Sequence, residues 1–352
     1  MNDWLLQLRD VFVDEPQAMI VTVAATRGSV PRETGTRMIV GAGAVHGTIG
    51  GGHLEFDAIR IARDALGARA DGGNWLVRFP LAAKLGQCCG GVATLLFQRV
   101  SASADWPAQL IRRRDAGEAV ALVVGVGAPP PAVAVVTPDT IAGDADFPVV
   151  AHNAVRELLA EGGAGAALIH DGELAWYAER IVANDFNIVV FGNGHVGRAL
   201  VQVLATLPCA ITWIDQREHD FPMVIPANTT VIACDKPEDE VIDAPPGSWF
   251  VVMTHSHALD FELSARILAR DDFAYFGLIG SASKRAQFEK RLAARGSTSA
   301  AMARITCPIG IDAIRSKEPG AIAIAVAAEL LQRRESVAAR DIGKTGATAA
   351  IR

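Results

Sequence analysis

The stretch Phe186-Asn187-Ile188-Val189-Val190-Phe191-Gly192-Asn193-Gly194-His195-Val196-Gly197 decides the fold of the second half of this chain. Its first half is a short apolar run and reads as a buried strand over residues 186–191. The Gly-x-Gly-x-x-Gly that follows opens a helix over residues 195–207, and a further apolar run at 210–214 ends in Asp215. Strand, glycine turn, helix and a second strand with an acidic end are the pattern of a βαβ unit that binds a phosphate-bearing ligand. Gly192 permits the tight turn, Gly194 lets backbone approach a phosphate, and Gly197 lets the helix pack on the sheet. The helix start, where His195 stands, offers free N–H groups and partial positive charge to an anion. Asp215 would accept from a ribose diol or another hydroxyl-bearing group, with Arg217 two residues on making the charge mixed. The alternative is a turn of the same shape that binds nothing.

Short apolar runs recur downstream at 229–233, 249–253 and 275–279, with helical patterns at 258–269 and 283–294. Pro319 opens an apolar helix over 320–334, proline being suited to a first helical turn. Strands alternating with helices predict a doubly wound, mainly parallel sheet, a Rossmann-like domain over 184–342 with a loosely held tail at 343–352. The preceding residues, 1–183, read as a separate α/β domain. It opens with a helix at 2–13 and strands at 19–25 and 37–40, and a helix at 54–66 follows. Strands at 75–79 and 92–100 come next, then strand pairs at 119–126 with 132–136 and at 166–169 with 174–181.

Composition agrees with two globular domains. The chain has 352 residues, half of them hydrophobic and 20% charged, which is enough to bury two cores and excludes disorder. A net charge of -6 argues against a nucleic-acid partner, and no apolar run is long enough for a membrane span. Asp3, Arg9 and Asp10 argue against a secretory leader, and five cysteines, an odd number, read as free thiols in a reducing cytoplasm.

Four further clusters carry chemistry. Gly47-Thr48-Ile49-Gly50-Gly51-Gly52-His53-Leu54-Glu55 places four glycines before a helix, a backbone nest for anions, with Arg27, Arg32 and Arg37 upstream to add charge. The alternative there is a tight turn with solvated arginines. Gln87-Cys88-Cys89-Gly90-Gly91 lacks zinc spacing, but a thiol on a glycine-rich loop is a candidate soft-metal ligand or sulfur carrier. Two small buried hydrophobes are the other reading. Thr254-His255-Ser256-His257 ends a strand, where ligands bind in doubly wound sheets. At period two, His255 and His257 would share a face and could contact a ligand or hold a metal. Gly280-Ser281-Ala282-Ser283-Lys284-Arg285 is the comparable end of the next strand, with Ser281 and Lys284 as anion candidates.

In combination these segments resemble the XdhC/CoxI family. Gly28-Ser29-Val30-Pro31-Arg32, the glycine loop to Glu55, the Cys88-Cys89 loop, residues 191–197, 253–260 and 277–285, Cys307-Pro308-Ile309-Gly310 and Lys317-Glu318-Pro319 all carry the likeness. The family's members are xanthine dehydrogenase accessory proteins. The resemblance implies a molybdenum cofactor (molybdopterin) chaperone that protects the cofactor, supports its sulfuration by a cysteine desulfurase and delivers it to the molybdenum subunit of xanthine dehydrogenase. It implies a homodimer and no independent turnover, with Cys88 and Cys89 as contacts to molybdenum. Two other readings stay open: an NAD(P)-dependent oxidoreductase with His255 or His257 as acid or base, and a nucleotide-sensing regulatory module.

Overall fold

The computed structural model describes residues 4–68, 73–81, 90–127, 132–143, 149–161, 165–172, 174–182 and 186–345. The chain divides into two compact units, Asn2–Ala183 and Asn184–Arg352.

The first unit holds two five-stranded antiparallel sheets. After helix α1 (Trp4–Asp14) come β1 (Gln17–Arg27), β2 (Arg37–Val40), β3 (Val45–Gly47), α2 (Gly52–Gly67), β4 (Trp75–Pro80) and β5 (Val92–Ser101). Their strand order is β3-β2-β1-β5-β4. β1 is apolar on both faces because both are covered. Met19, Val21 and Val23 pack with the α2 residues Leu54, Ala58 and Ala62, and Ala18 and Ile20 pack with Leu8 and Val11 of α1. Then follow α3 (Trp106–Asp115), β6 (Val120–Val126), β7 (Val133–Val136), β8 (Ile141–Gly143), α4 (Val149–Glu161), β9 (Gly165–Asp171) and β10 (Leu174–Ile181), with the sheet ordered β8-β7-β6-β10-β9. Both strand pairs read from the sequence, β6 with β7 and β9 with β10, are antiparallel neighbours. Arg37 of β2 is buried. Its guanidinium is ion-paired with Glu179 of β10 and stacked 4.2 Å over the Trp4 ring, and the Tyr177 hydroxyl donates to the same carboxylate at 2.7 Å. Burial, then the Glu179 charge, push the Tyr177 hydroxyl well above the usual phenol range.

The second unit is a six-stranded, wholly parallel sheet. Its elements are β11 (Asn187–Phe191), α5 (His195–Leu204), β12 (Ala210–Asp215), β13 (Thr229–Ala233), α6 (Glu240–Asp243), β14 (Trp249–Val252), α7 (His257–Leu268), β15 (Tyr275–Leu278), α8 (Ala282–Ala294), α9 (Ser299–Met302), β16 (Ile305–Thr306) and α10 (Pro319–Thr345). The strand order β13-β12-β11-β14-β15-β16 reverses direction between β11 and β14, the switch point of a doubly wound sheet. Both faces of the central strands are covered, which is why β11, β14 and β15 are apolar almost throughout rather than alternating. Ile188 and Val190 face a layer that includes Leu200, Leu204, Val326 and Leu330, from α5 and α10. Val189 and Phe191 face Phe261, Ile267 and Phe288, from α7 and α8. Helix α10 runs past Gly343, the first residue of the expected loose tail, and residues 346–352 lie outside the described ones.

Candidate functional site

The fingerprint residues meet at the carboxyl ends of β11 and β14. Gly192 has φ 120°, and a Cβ there would stand 2.5 Å from the Met253 carbonyl, so only glycine lets the two strand ends close. The Gly192 carbonyl accepts from the buried Trp213 indole at 3.0 Å, and a Cβ on Gly197 would meet that same oxygen at 2.1 Å. The two glycines therefore hold turn and helix together. Gly194 is different. It is exposed with φ −79° and ψ −177°, and no heavy atom lies within 4 Å of a Cβ built on it. The mouth of the turn is open, and His195 beside it is exposed.

Asp215 is buried and its carboxylate is fully engaged within the chain. Oδ2 accepts from the Asn193 backbone N–H at 2.6 Å and from Arg217 Nη2 at 3.0 Å. Oδ1 accepts from the Arg217 N–H at 3.0 Å and from Arg217 Nε at 2.9 Å. A carboxylate offers about four lone-pair sites, so none is left for a ribose diol while Arg217 stays in place. Burial opposes ionisation, but the Arg217 and Asn193 hydrogen bonds outweigh it and hold the carboxyl below its usual 3.8. A group with a depressed folded pKa adds stability above its unfolded value and loses it as pH falls. Asp215→Asn should thus cost about 2–3 kcal/mol at neutral pH, less than a fully buried pair because Arg217 is 40% exposed. The variant should also lack the part of the native acid destabilisation that sets in below 3.8, read from denaturant midpoints across pH. The Asn193 side chain sits in the same turn, 1% exposed; its Oδ1 accepts from Arg198 Nε at 3.0 Å, and its Nδ2 has no partner.

At the end of β14 the histidines do not share a strand face. β14 stops at Val252, His255 lies in the connecting loop, and His257 is the first residue of α7 after the Ser256 N-cap. Both are exposed, and among the described residues no group of three or more His, Cys, Asp or Glu is placed to hold a metal. What organises this loop is Asp260, fully buried, whose Oδ1 accepts from the Thr254 N–H at 3.1 Å and the Thr254 hydroxyl at 2.7 Å. Its Oδ2 pairs with Lys284 Nζ at 2.5 Å, and Lys284 also donates to the Ile279 carbonyl at 2.8 Å. Lys284 is thus not an exposed anion ligand: its ammonium ties the ends of β14 and β15 together. Gly280 lets it lie there, since a Cβ would come within 2.5 Å of Lys284 Cδ. The Ser281 hydroxyl caps α8 by accepting from Lys284 N at 3.3 Å.

In the first unit the glycine nest forms, but the chain fills it. Gly50, Gly51 and Gly52 have φ of 123°, 73° and 64°. Glu55 Oε2 accepts from the Thr48 hydroxyl at 2.5 Å and from the Ile49 and Gly51 N–H groups at 3.0 and 3.1 Å. The anion this loop binds is its own helix's carboxylate. Glu55→Gln is expected to lower the stability of this unit by about 1–2 kcal/mol, a charged acceptor being exchanged for a neutral one. A chemical denaturation curve checks it. The Arg37 guanidinium is buried and paired with Glu179, whereas Arg27, Arg32 and His53 are exposed. A Cβ on Gly50 would meet Pro31 at 2.7 Å, and one on Gly91 would meet the Ser29 carbonyl at 2.3 Å, so the glycine loop, the turn at 28–32 and the Gly90-Gly91 end converge. Cys88 and Cys89 lie outside the described residues. Burial raises the thiol pKa of Cys209, to about 11, and those of Cys234 and Cys307. They are poor thiolates at neutral pH.

Sequence reading gave no role to Glu55, Asp260 or Asn193, because each acts through a partner that spacing does not reveal. Among the described residues no helix is long and apolar enough to cross a membrane.

Comparison with known proteins places this geometry. Residues 188–330 match the XdhC Rossmann domain, and residues 14–80 match the XdhC and CoxI family, together more than half of the chain. An uncharacterized protein of Escherichia coli strain K12, YqeB, is 31% identical over 148 residues, 41% of this chain and 27% of that protein. The chain thus spans about a quarter of the length of this curated relative. A crystal structure described as a xanthine dehydrogenase from Bacillus halodurans superposes with a TM-score of 0.73 at 19% identity, covering 94% of this chain and 96% of that one, a likeness of fold. With both segments matched in order and the parallel sheet observed where the Rossmann domain is matched, the chain belongs to the XdhC and CoxI family.

Proposed function

We propose that this protein is an accessory factor of xanthine dehydrogenase maturation that binds molybdenum cofactor as cargo at the β11–β14 switch point. In this reading it has no turnover of its own. It shields the cofactor in the cytoplasm, supports sulfuration by a cysteine desulfurase and hands the product to the enzyme's molybdenum subunit, acting as a homodimer. Family membership supports the maturation role.

The observation that carries the cargo reading is the turn itself: an open mouth at Gly194 beside an unpartnered, buried Asn193 Nδ2 at a helix start. Such an orphan donor costs about 1–3 kcal/mol, which an incoming phosphate oxygen offsets. The backbone at 194–197 and the Asn193 amide would hold the cofactor's phosphomonoester. The oxidoreductase reading loses support because Asp215, its ribose ligand, has no free acceptor.

Anaerobic incubation with free cofactor followed by gel filtration tests the proposal. Pterin should elute with the protein; pterin wholly apart from it contradicts the proposal. Binding and oxidation of NADH with turnover of a substrate would favour the oxidoreductase.

A further inference from the structure

A cavity of about 650 Å³ lies in the first unit, between the β7–β8 hairpin and α4. That is within the ~300–1,000 Å³ of pockets that enclose a whole small ligand. Both of its walls are held in place. The Thr137 N–H donates to the Thr140 carbonyl at 2.8 Å and the Thr140 N–H to the Thr137 hydroxyl at 3.0 Å, which closes the hairpin tip. Gly143 lets β8 lie against β7, since a Cβ there would stand 2.3 Å from the Val133 carbonyl. On the other wall, Arg180 of β10 donates to the Leu158 and Leu159 carbonyls at 3.3 and 3.0 Å and clamps the end of α4 to the sheet.

The lining follows from how α4 sits. The helix lies across β6, β9 and β10 and buries Ala151 and Val155 against that face. His152, Arg156, Leu159 and Ala160, at helical spacing, share the neighbouring face and line the cavity. The floor is apolar, from Val136, Val155 and Leu159, with Ile141 at the rim. Opposite charges stand on the two walls, Arg156 on the helix and Asp139 at the hairpin tip. They do not pair with each other, and among the described residues neither has another ion-pair partner. An apolar floor between a separated cation and anion complements a molecule that carries both charges on an apolar body.

We infer that this cavity binds an apolar zwitterion, an amino acid or short peptide with free termini. Its carboxylate lies against the Arg156 guanidinium and its ammonium against the Asp139 carboxylate, two charge-assisted contacts. Its apolar side chains cover Val136, Val155 and Leu159. The site belongs to the first unit and stands independently of the cargo reading, which concerns the second.

The test is isothermal titration calorimetry of the full chain with leucyl-leucine, its amide and its N-acetyl form. The substituted positions 139, 156 and 160 are exposed, and thermal melts confirm that each variant folds. Arg156→Gln should weaken leucyl-leucine by about fivefold or more and leave the amide, which has no carboxylate, within about twofold. Asp139→Asn should weaken leucyl-leucine by a similar factor and leave the N-acetyl form, which has no ammonium, within about twofold. Ala160→Trp, which fills the cavity from the helix side, should abolish binding of all three. No binding of leucyl-leucine to the unaltered chain at millimolar concentration overturns the inference, as does binding that survives Ala160→Trp. An N-acetyl form that binds as tightly as leucyl-leucine and still depends on Arg156 would make this an anion site and overturn the zwitterion.

Discussion

Lys284→Ala is expected to destabilise the second unit by about 3–5 kcal/mol, the cost of leaving a buried charge without its partner. Asp260 has a side chain 1% exposed and Lys284 one 9% exposed, at an Nζ to Oδ2 distance of 2.5 Å. Removing the ammonium strands the carboxylate, which still holds the Thr254 N–H and hydroxyl but has lost its counter-charge. The Ile279 carbonyl loses a donor at the same time. Replacing both partners, Lys284→Met with Asp260→Asn, should recover part of the loss, because a neutral pair carries no stranded charge. Equilibrium unfolding in urea measures it. A single variant within about 0.5 kcal/mol of the parent would mean that the pair does not hold the β14 and β15 ends together.

Gly194→Val carries the second large effect, on binding rather than folding. The backbone at Gly194 is extended, at φ −79° and ψ −177°, a conformation that valine adopts readily, and no atom lies within 4 Å of the new Cβ. The fold should therefore tolerate the change. The branched side chain instead fills the space a phosphate needs and blocks the N–H groups of the turn. Losing two charge-assisted hydrogen bonds corresponds to about 3–6 kcal/mol, or at least about a hundredfold in affinity. Equilibrium dialysis against a phosphorylated pterin, beside a thermal melt, separates loss of binding from loss of fold. Unchanged affinity in a folded variant would remove the turn from the site.

The second unit was legible because its signals are local. An apolar run, a glycine fingerprint and an amphipathic helix occupy adjacent residues, and the parallel, doubly wound character of the sheet follows from the alternation of strands with helices. The roles of Gly192 and Gly197 follow from that fingerprint. Other elements escaped for physical reasons. Helix α3 carries Arg112, Arg113, Arg114 and Asp115 and buries only Leu110, so it shows little apolar periodicity. β16 is two residues long. The site chemistry was less legible than the fold, because a charged side chain does not announce its partner. Glu55 looks like an ordinary residue of a first helical turn until the loop at 48–51 wraps its carboxylate. Lys284 looks like an anion ligand until the chain brings Asp260, 24 residues earlier, against it. Asp215 looks like a ribose ligand until Arg217 turns back on it.

The most direct measurement of the cargo assignment is anaerobic purification of the unaltered chain and of Gly194→Val from cells making molybdenum cofactor, with bound molybdenum and pterin quantified per protein. Both should accompany the unaltered chain in equal amounts and be absent from Gly194→Val. Molybdenum and pterin absent from both proteins, or equal in both, would contradict a cofactor held at this turn.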